Sequence, residues 1–114
     1  MTPPPRLKSK LRVQALLRTC QSVDLFCLVA RKGDEDAGDI LIKLRHGSEG
    51  FSLLSQTRDP EGELAWMRLT GALPVPEAQA DALLTRRLSF DSDLWVVEIE
   101  ETARQPAPLP GTIL

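Results

Sequence analysis

The chain has 114 residues, of which 42% are hydrophobic and 26% charged, and its formal net charge is -2 at pH 7. These values are typical of one soluble globular domain and argue against a strongly basic nucleic-acid-binding protein. No apolar run reaches the length of about 18 residues that a membrane-spanning helix needs. The N-terminal residues also lack a signal-peptide pattern, so we expect a cytoplasmic protein without a membrane segment.

Charge and proline are unevenly distributed along the chain. Residues 1–32 contain seven Lys or Arg and one acid, whereas residues 33–114 contain seven Lys or Arg and fifteen acids. Six of the nine prolines lie in the two terminal segments. We therefore predict a disordered proline-rich lead at residues 1–5, one domain at 6–102 and a flexible proline-rich tail at 103–114.

The two cysteines, Cys20 and Cys27, lie in apolar segments. No other Cys or His stands near them at the short spacings of a zinc site. We predict reduced thiols in the core rather than a disulfide, in keeping with a cytoplasmic protein.

The first periodic segment runs from Ser9 to about Ser22 and predicts a helix. Its apolar positions recur at i, i+3, i+4 and i+7: Val13, Leu16, Leu17 and Cys20. Ser9 is the predicted N-cap. Residues 6–13 also alternate between apolar and basic side chains, which is the pattern of a strand, and this alternative stays open beside the favoured helix.

Two strongly apolar runs, Leu25 to Ala30 and Ile40 to Leu44, are separated by residues 31–39, which contain three consecutive acids. This arrangement predicts a β-hairpin whose acidic tip faces water. Gly33 and Gly38 are expected to supply the positive φ values of the turn. Because the first run is continuous, we predict that its strand is covered on both faces or lies centrally in the sheet.

The remaining segments predict three strands and a second helix. Phe51 to Thr57 and Glu63 to Leu69 complete a four-strand meander. A helix begins near Pro76, and one stripe of it is apolar: Ala80, Leu83, Leu84 and Leu88. In the last strand, Trp95, Val97 and Ile99 share one face. The predicted fold class is α+β: a mainly antiparallel sheet of about five strands, made of the four-strand meander plus a C-terminal strand, packed on two helices.

Two motifs are distinctive: RKGDEDAGDILIK at residues 31–43 and FDSDLWVVEIEE at residues 90–101. On these motifs, most of residues 6–101 resembles a small uncharacterised bacterial family, number fourteen-ninety-one in the domain-of-unknown-function series. The proline-rich ends lie outside the resemblance. The resemblance implies no established activity, ligand or catalytic residue.

Clustered acids give the first candidate sites. The candidate binding residues are Arg31, Asp34, Glu35, Asp36, Asp91, Asp93, Trp95 and Glu98. An alternative function is metal-dependent phosphoester hydrolysis, with Asp34, Asp36, Asp91, Asp93 and Glu98 as the carboxylates. That alternative requires the hairpin tip and the start of the last strand to lie at one end of the sheet. The spacing of a calcium loop is absent, and a solvated turn is the simpler interpretation of the acids.

Other classical sites are weaker. His46 is the only histidine and falls in a predicted turn, where a solvent-exposed side chain is expected rather than a catalytic triad. No dinucleotide or P-loop motif occurs, so we expect no cofactor. The basic N-terminal segment gives a second alternative, nucleic-acid binding, although it contains no aromatic residue for base stacking.

The absence of a complete catalytic set favours binding over catalysis. We therefore expect a small non-catalytic binding or adaptor domain whose partner is another protein or a second copy of the chain. Trp66 and Trp95 suit either the core or an interface, and core packing is favoured.

Overall fold

The computed structural model describes residues 7–114, so the predicted lead at residues 1–5 lies outside the described residues. Residues 7–114 form two helices and six strands. The helices are α1 (Ser9–Ser22) and α2 (Glu77–Phe90), and a short 3-10 turn spans Gly47–Glu49. The strands are β1 (Cys27–Arg31), β2 (Ile40–Arg45), β3 (Phe51–Arg58), β4 (Leu64–Arg68), β5 (Trp95–Glu100) and β6 (Thr112–Ile113). The predicted α+β class is confirmed.

The six strands form one mixed sheet in the order β1-β5-β2-β3-β4-β6. β5 runs parallel to β2, and β6 runs parallel to β4, whereas the other neighbours are antiparallel. The predicted hairpin between the first two strands is wrong, because β5 lies between them. The meander therefore contains only β2, β3 and β4.

The interior position of β5 follows from its sequence. Trp95, Val97 and Ile99 are buried on one face, and Leu94 and Val96 are buried on the other. A segment that is apolar on both faces is stabilised most at the middle of a sheet. β1, predicted to be central, lies at the edge instead, and its residues alternate between intermediate and exposed.

The two helices cover opposite faces of the sheet, because alternate residues of a strand point to opposite sides. The larger core forms under α1 and includes Val13, Leu16, Cys20, Ile42, Leu54, Trp66, Trp95 and Val97. The smaller core lies under α2 and joins Leu41, Leu53 and Leu94 to Leu83, Leu84 and Leu88. Both tryptophans therefore belong to the core.

The helical prediction for Ser9–Ser22 is confirmed, and the strand alternative is wrong for residues 9–13. Lys8, rather than Ser9, occupies the N-cap position, without a side-chain cap bond. Ser9 is 3% exposed and donates its hydroxyl to the carbonyl oxygen of Gly38 at 2.6 Å. In the described part of the chain, neither helix is long and apolar enough to cross a membrane.

The C-terminal segment packs against the domain rather than forming the flexible tail predicted for residues 103–114. Trp66 donates its indole N–H to the carbonyl oxygen of Pro110 at 2.7 Å. The N–H of Leu114 donates to the carbonyl oxygen of Trp66 at 2.8 Å. The proline-rich composition indicated disorder, but the short strand β6 needs only one partner edge, and β4 supplies it.

Candidate functional site

The acidic loop (residues 31–39) and the start of β5 meet at one end of the sheet. The N–H of Asp34 donates to the carbonyl oxygen of Asp93 at 3.0 Å. The indole N–H of Trp95 donates to the carbonyl oxygen of Asp34 at 2.7 Å, and Arg31 Nη1 donates to the carbonyl oxygen of Leu94 at 2.6 Å. The structure therefore brings Arg31, Asp34, Asp93 and Trp95 together through hydrogen bonds whose acceptors are all backbone carbonyl oxygens.

The two glycines of the acidic loop allow this close approach. A Cβ atom built on Gly33 or on Gly38 would lie 2.2 Å from the carbonyl oxygen of Asp93. Neither glycine has the positive φ expected of a hairpin turn. Their role is to leave room for the backbone of the β5 start, because any side chain there would collide with it.

The acidic side chains pair with the basic N-terminus of α1 within the same chain. Lys8 Nζ lies 3.5 Å from a carboxylate oxygen of Asp36, and Lys10 Nζ lies 3.8 Å from one of Glu35. Lys32 Nζ lies 2.9 Å from the same Glu35 oxygen. The hydrogen bond from Lys32, together with the positive charges of Lys10 and Lys32, lowers the pKa of the Glu35 carboxyl.

The helix backbone makes the same connection, because the N–H groups of Ser9 and Lys10 donate to carbonyl oxygens of Asp36 and Glu35. These are N–H groups of the first helical turn, which have no partner inside the helix. The acidic loop and the basic N-terminal segment therefore form one intramolecular junction.

The carboxylates of the acidic cluster do not converge. Asp34 Oδ2 accepts the N–H groups of Asp36 and Ala37, and Asp91 Oδ1 accepts the N–H of Asp93 at 2.9 Å. Glu98 lies apart from them, on the face covered by α2. Among residues 7–114, no group of three or more His, Cys, Asp or Glu side chains is arranged to hold a metal ion.

Glu98 belongs instead to an ion cluster around Lys43, whose side chain is 8% exposed. Lys43 Nζ lies 2.7 Å from Glu77, 2.8 Å from Asp81 and 3.6 Å from Glu98. Burial opposes the charged amine, but hydrogen bonds to Asp81 and Glu77 outweigh it and raise the pKa of Lys43 to about 12. The cluster connects the first turns of α2 to β2 and β5.

His46 forms a second polar cluster that the sequence did not indicate. Its Nε2 lies 2.8 Å from Ser52 Oγ, and its Nδ1 lies 2.6 Å from Glu101 Oε1. These distances resemble those of a Ser-His-acid triad. Ser52 is 4% exposed, however, and Glu101 Oε2 accepts the N–H of Ala107 at 3.0 Å. We assign the cluster to holding the C-terminal segment on the sheet, because a nucleophile needs access to its substrate.

An apolar cleft with a basic rim lies at the C-terminal end of α2. The α2 cleft has a volume of about 490 Å³ and is lined by Leu69, Leu83, Arg86, Arg87 and Phe90. Phe90 is 81% exposed, the highest value among the large apolar side chains described. Within residues 7–114, neither guanidinium of the cleft has an ion-pair or hydrogen-bond partner.

Sequence reasoning missed the α2 cleft because Arg86 and Arg87 also suit the C-terminal turn of a helix. Leu83, Arg87 and Phe90 are spaced at i, i+4 and i+7, so they lie on one side of α2. That spacing was the available signal, but the cleft also needs Leu69, which follows β4, and the spacing does not reveal that contact.

The fold defines the class: a small α+β domain with a mixed six-stranded sheet between two helices. The family model of DUF1491, described as a protein of unknown function, matches residues 7–107. The chain belongs to this family, as the two sequence motifs predicted. None of the curated proteins matches the chain.

Solved structures of relatives support the assignment. A crystal structure of a DUF1491 family protein from Caulobacter crescentus is 34% identical, with a TM-score of 0.82 over 96% of this chain and 100% of that chain. An NMR structure of a DUF1491 family protein from the same organism is 33% identical, with a TM-score of 0.81 over 97% and 99%. The solution structure of protein Atu0922 from A. tumefaciens is 33% identical, with a TM-score of 0.72 over 85% and 87%.

Proposed function

We propose that this protein is a small non-catalytic binding domain. Its α2 cleft binds a segment of a protein partner that contains both acidic and apolar residues. The observation that carries the proposal is the exposure of Phe90 beside two guanidinium groups without partners. An exposed aromatic on the rim of an apolar cleft is typical of an interaction site.

The chemistry of the cleft selects the partner. Leu69, Leu83 and Phe90 offer contacts to an apolar side chain, and Arg86 and Arg87 offer charge-assisted hydrogen bonds to carboxylates. A partner with only negative charge would leave the apolar lining in water. An acidic peptide with a Leu or Phe satisfies both parts, which favours a protein partner over a nucleic acid.

The remaining charges of the domain agree with binding at this place. The acidic loop pairs with Lys8 and Lys10 of the basic N-terminal segment, which had suggested nucleic-acid binding. Arg86 and Arg87 stay available for an external carboxylate. We also propose a cytoplasmic location, supported by the two free cysteines, Cys20 and Cys27.

Peptide display on the immobilised protein tests the proposal. We expect selected peptides to combine Asp or Glu with a Leu or Phe, and their affinity to fall as salt rises. The double variant Arg86→Glu, Arg87→Glu should lose at least about tenfold in affinity for them. The matched control Arg18→Glu, Arg104→Glu makes the same change in net charge at two exposed positions outside the cleft.

The control variant should bind the selected peptides as the parent does. Equal losses in both double variants would show that binding depends on net charge alone and would contradict the cleft as the site. Peptides without acidic residues would contradict the proposed partner chemistry.

A further inference from the structure

The edge strand β1 presents unpaired backbone groups to solvent. β5 lies on one side of β1, and the described residues place no strand on its other side. The N–H of Glu100 donates to the carbonyl oxygen of Phe26 at 3.0 Å, which fixes the alternation along β1. The backbone N–H and C=O groups of Leu28 therefore point toward β5, and those of Cys27 and Val29 point outward. Such an edge is a template for another strand.

The exposed face of this edge is apolar. Phe26 is 52% exposed and Leu28 is 37% exposed, and Ala30 is also exposed. No charged residue or proline interrupts residues 25–30, although edge strands usually carry one. A shift of register between Val29 and Arg31 ends the regular ladder, so the template is about five residues long.

We propose that β1 pairs antiparallel with β1 of a second copy around a two-fold axis at Leu28. In this register Cys27 of each copy stands opposite Val29 of the other, so the pair uses the outward backbone groups. Phe26 stands opposite Ala30, and the two Leu28 side chains meet at the axis. The exposed apolar face then continues across both copies and is partly covered.

The charges beside β1 select a second copy as the occupant. Asp24 and Lys32 lie four residues before and four residues after Leu28, so the two-fold axis brings Asp24 of each copy to the end where Lys32 of the other lies. Asp24 is exposed, and the Lys32 side chain, which also contacts Glu35 of its own chain, is 63% exposed. A self-complementary surface of this kind is the requirement for an isologous dimer. The proposal is independent of the α2 cleft, because β1 contributes no residue to it.

Charge reversal combined with mixing tests the register. Asp24→Lys alone places two amines opposite each other at each end of the paired strands, and Lys32→Asp alone places two carboxylates there. Each single variant should therefore raise the dimer Kd by at least about tenfold. An equimolar mixture of the two variants brings unlike charges together at both ends and should dimerise more tightly than either variant alone. Sedimentation equilibrium over a range of concentrations measures the parent, each variant and the mixture.

A second variant pair keeps the test decisive if the reversal at Asp24, where φ is 58°, unfolds the protein. Leu28→Lys places two like charges at the axis, and Leu73→Lys makes the same change at a loop position that is 75% exposed. We expect only Leu28→Lys to abolish the dimer, with an unchanged fold by NMR. A parent that stays monomeric, a dimer insensitive to Leu28→Lys, or folded charge variants that do not recombine would overturn the proposal.

Discussion

Trp95 donates its indole N–H to the carbonyl oxygen of Asp34 at 2.7 Å, across 61 positions of sequence. This bond joins the first residue of β5 to the acidic loop, and Trp95 itself is 4% exposed. In the sheet, β5 is the strand that separates β1 from β2. The bond therefore connects the acidic loop to the strand on which the topology of the domain depends.

Replacing Trp95 by Phe should destabilise the domain. The substitution leaves the Asp34 carbonyl without its donor, and we expect the free energy of unfolding in urea to fall by roughly 1 to 3 kcal/mol, with a further cost from the lost volume. Trp66→Phe is the matched control, because it removes an indole donor that serves Pro110 instead. Amide exchange at Asp34 should accelerate in Trp95→Phe and stay unchanged in Trp66→Phe.

Alanine at Gly33 or Gly38 should cost more stability than alanine at an open glycine. The added methyl would lie 2.2 Å from the Asp93 carbonyl oxygen, so the acidic loop must move away from β5. We expect losses of about 1 to 3 kcal/mol in thermal or urea unfolding. Gly47 has φ of 59° and no atom within 4 Å of a built Cβ, so Gly47→Ala carries only the backbone cost. A larger loss at Gly47 would contradict the close-approach role.

Lys43→Met should show a pH-dependent loss of stability. The variant keeps the apolar stem but leaves Glu77, Asp81 and Glu98 without their cation, and we expect a loss of about 1 to 2 kcal/mol at pH 7, because water still reaches the carboxylates. The folded state raises the pKa of Lys43 from 10.5 to about 12, so its contribution is complete below pH 10.5. It is lost as the pH rises through 12.

Urea unfolding of the parent and the Lys43→Met variant at pH 7, 10 and 11.5 measures this difference. Other groups titrate in both proteins and cancel when the two are compared at each pH. A difference that grows with alkaline pH would mean that the Lys43 amine is not stabilised in its charged form.

Truncation after Ala107 should expose the Trp66 side of the sheet. The shortened chain loses the Pro110 acceptor, the β6 pairing with β4, and the apolar contacts of Leu109 and Ile113 with the larger core. We expect the free energy of unfolding to fall by on the order of 2 to 3 kcal/mol. Hydrogen exchange of the Trp66 indole N–H should become much faster. Equal exchange in the two chains would show that the C-terminal segment is flexible in solution.

The sequence predicted the elements better than their arrangement. The apolar stripe of α1 and the alternation of β2 are local signals, and both elements formed within a few residues of the predicted bounds. The pairing of β5 with β1 and β2 is not local, and the acidic loop between the runs was typical of a hairpin. In the sequence, only the apolar residues on both faces of β5 indicated an interior strand. That signal competed with the short loop between the first two strands, which favoured pairing them directly.

The hydrolase alternative required the acidic loop and the start of the last strand to lie at one end of the sheet, but the sequence did not predict how they make contact. Asp34 and Asp93 do meet at one end of the sheet, through an N–H and a carbonyl group. Asp93 also lies against Gly33 and Gly38, and the neighbouring Glu35 and Asp36 accept N–H groups from the N-terminus of α1. These contacts join segments distant in sequence, which periodicity does not reveal. For the same reason the His46 cluster and the α2 cleft could not be inferred from spacing, because each is assembled from elements that only tertiary packing brings together.

The most direct measurement of the binding claim is photo-crosslinking in cells with a photoreactive phenylalanine analogue in place of Phe90. The same analogue at Glu61, an exposed turn position, is the control. We predict one discrete protein adduct at position 90, none at position 61, and loss of the adduct when Arg86 and Arg87 are both changed to Glu. No adduct at position 90, or the same adducts at both positions, would contradict a docking site in the α2 cleft.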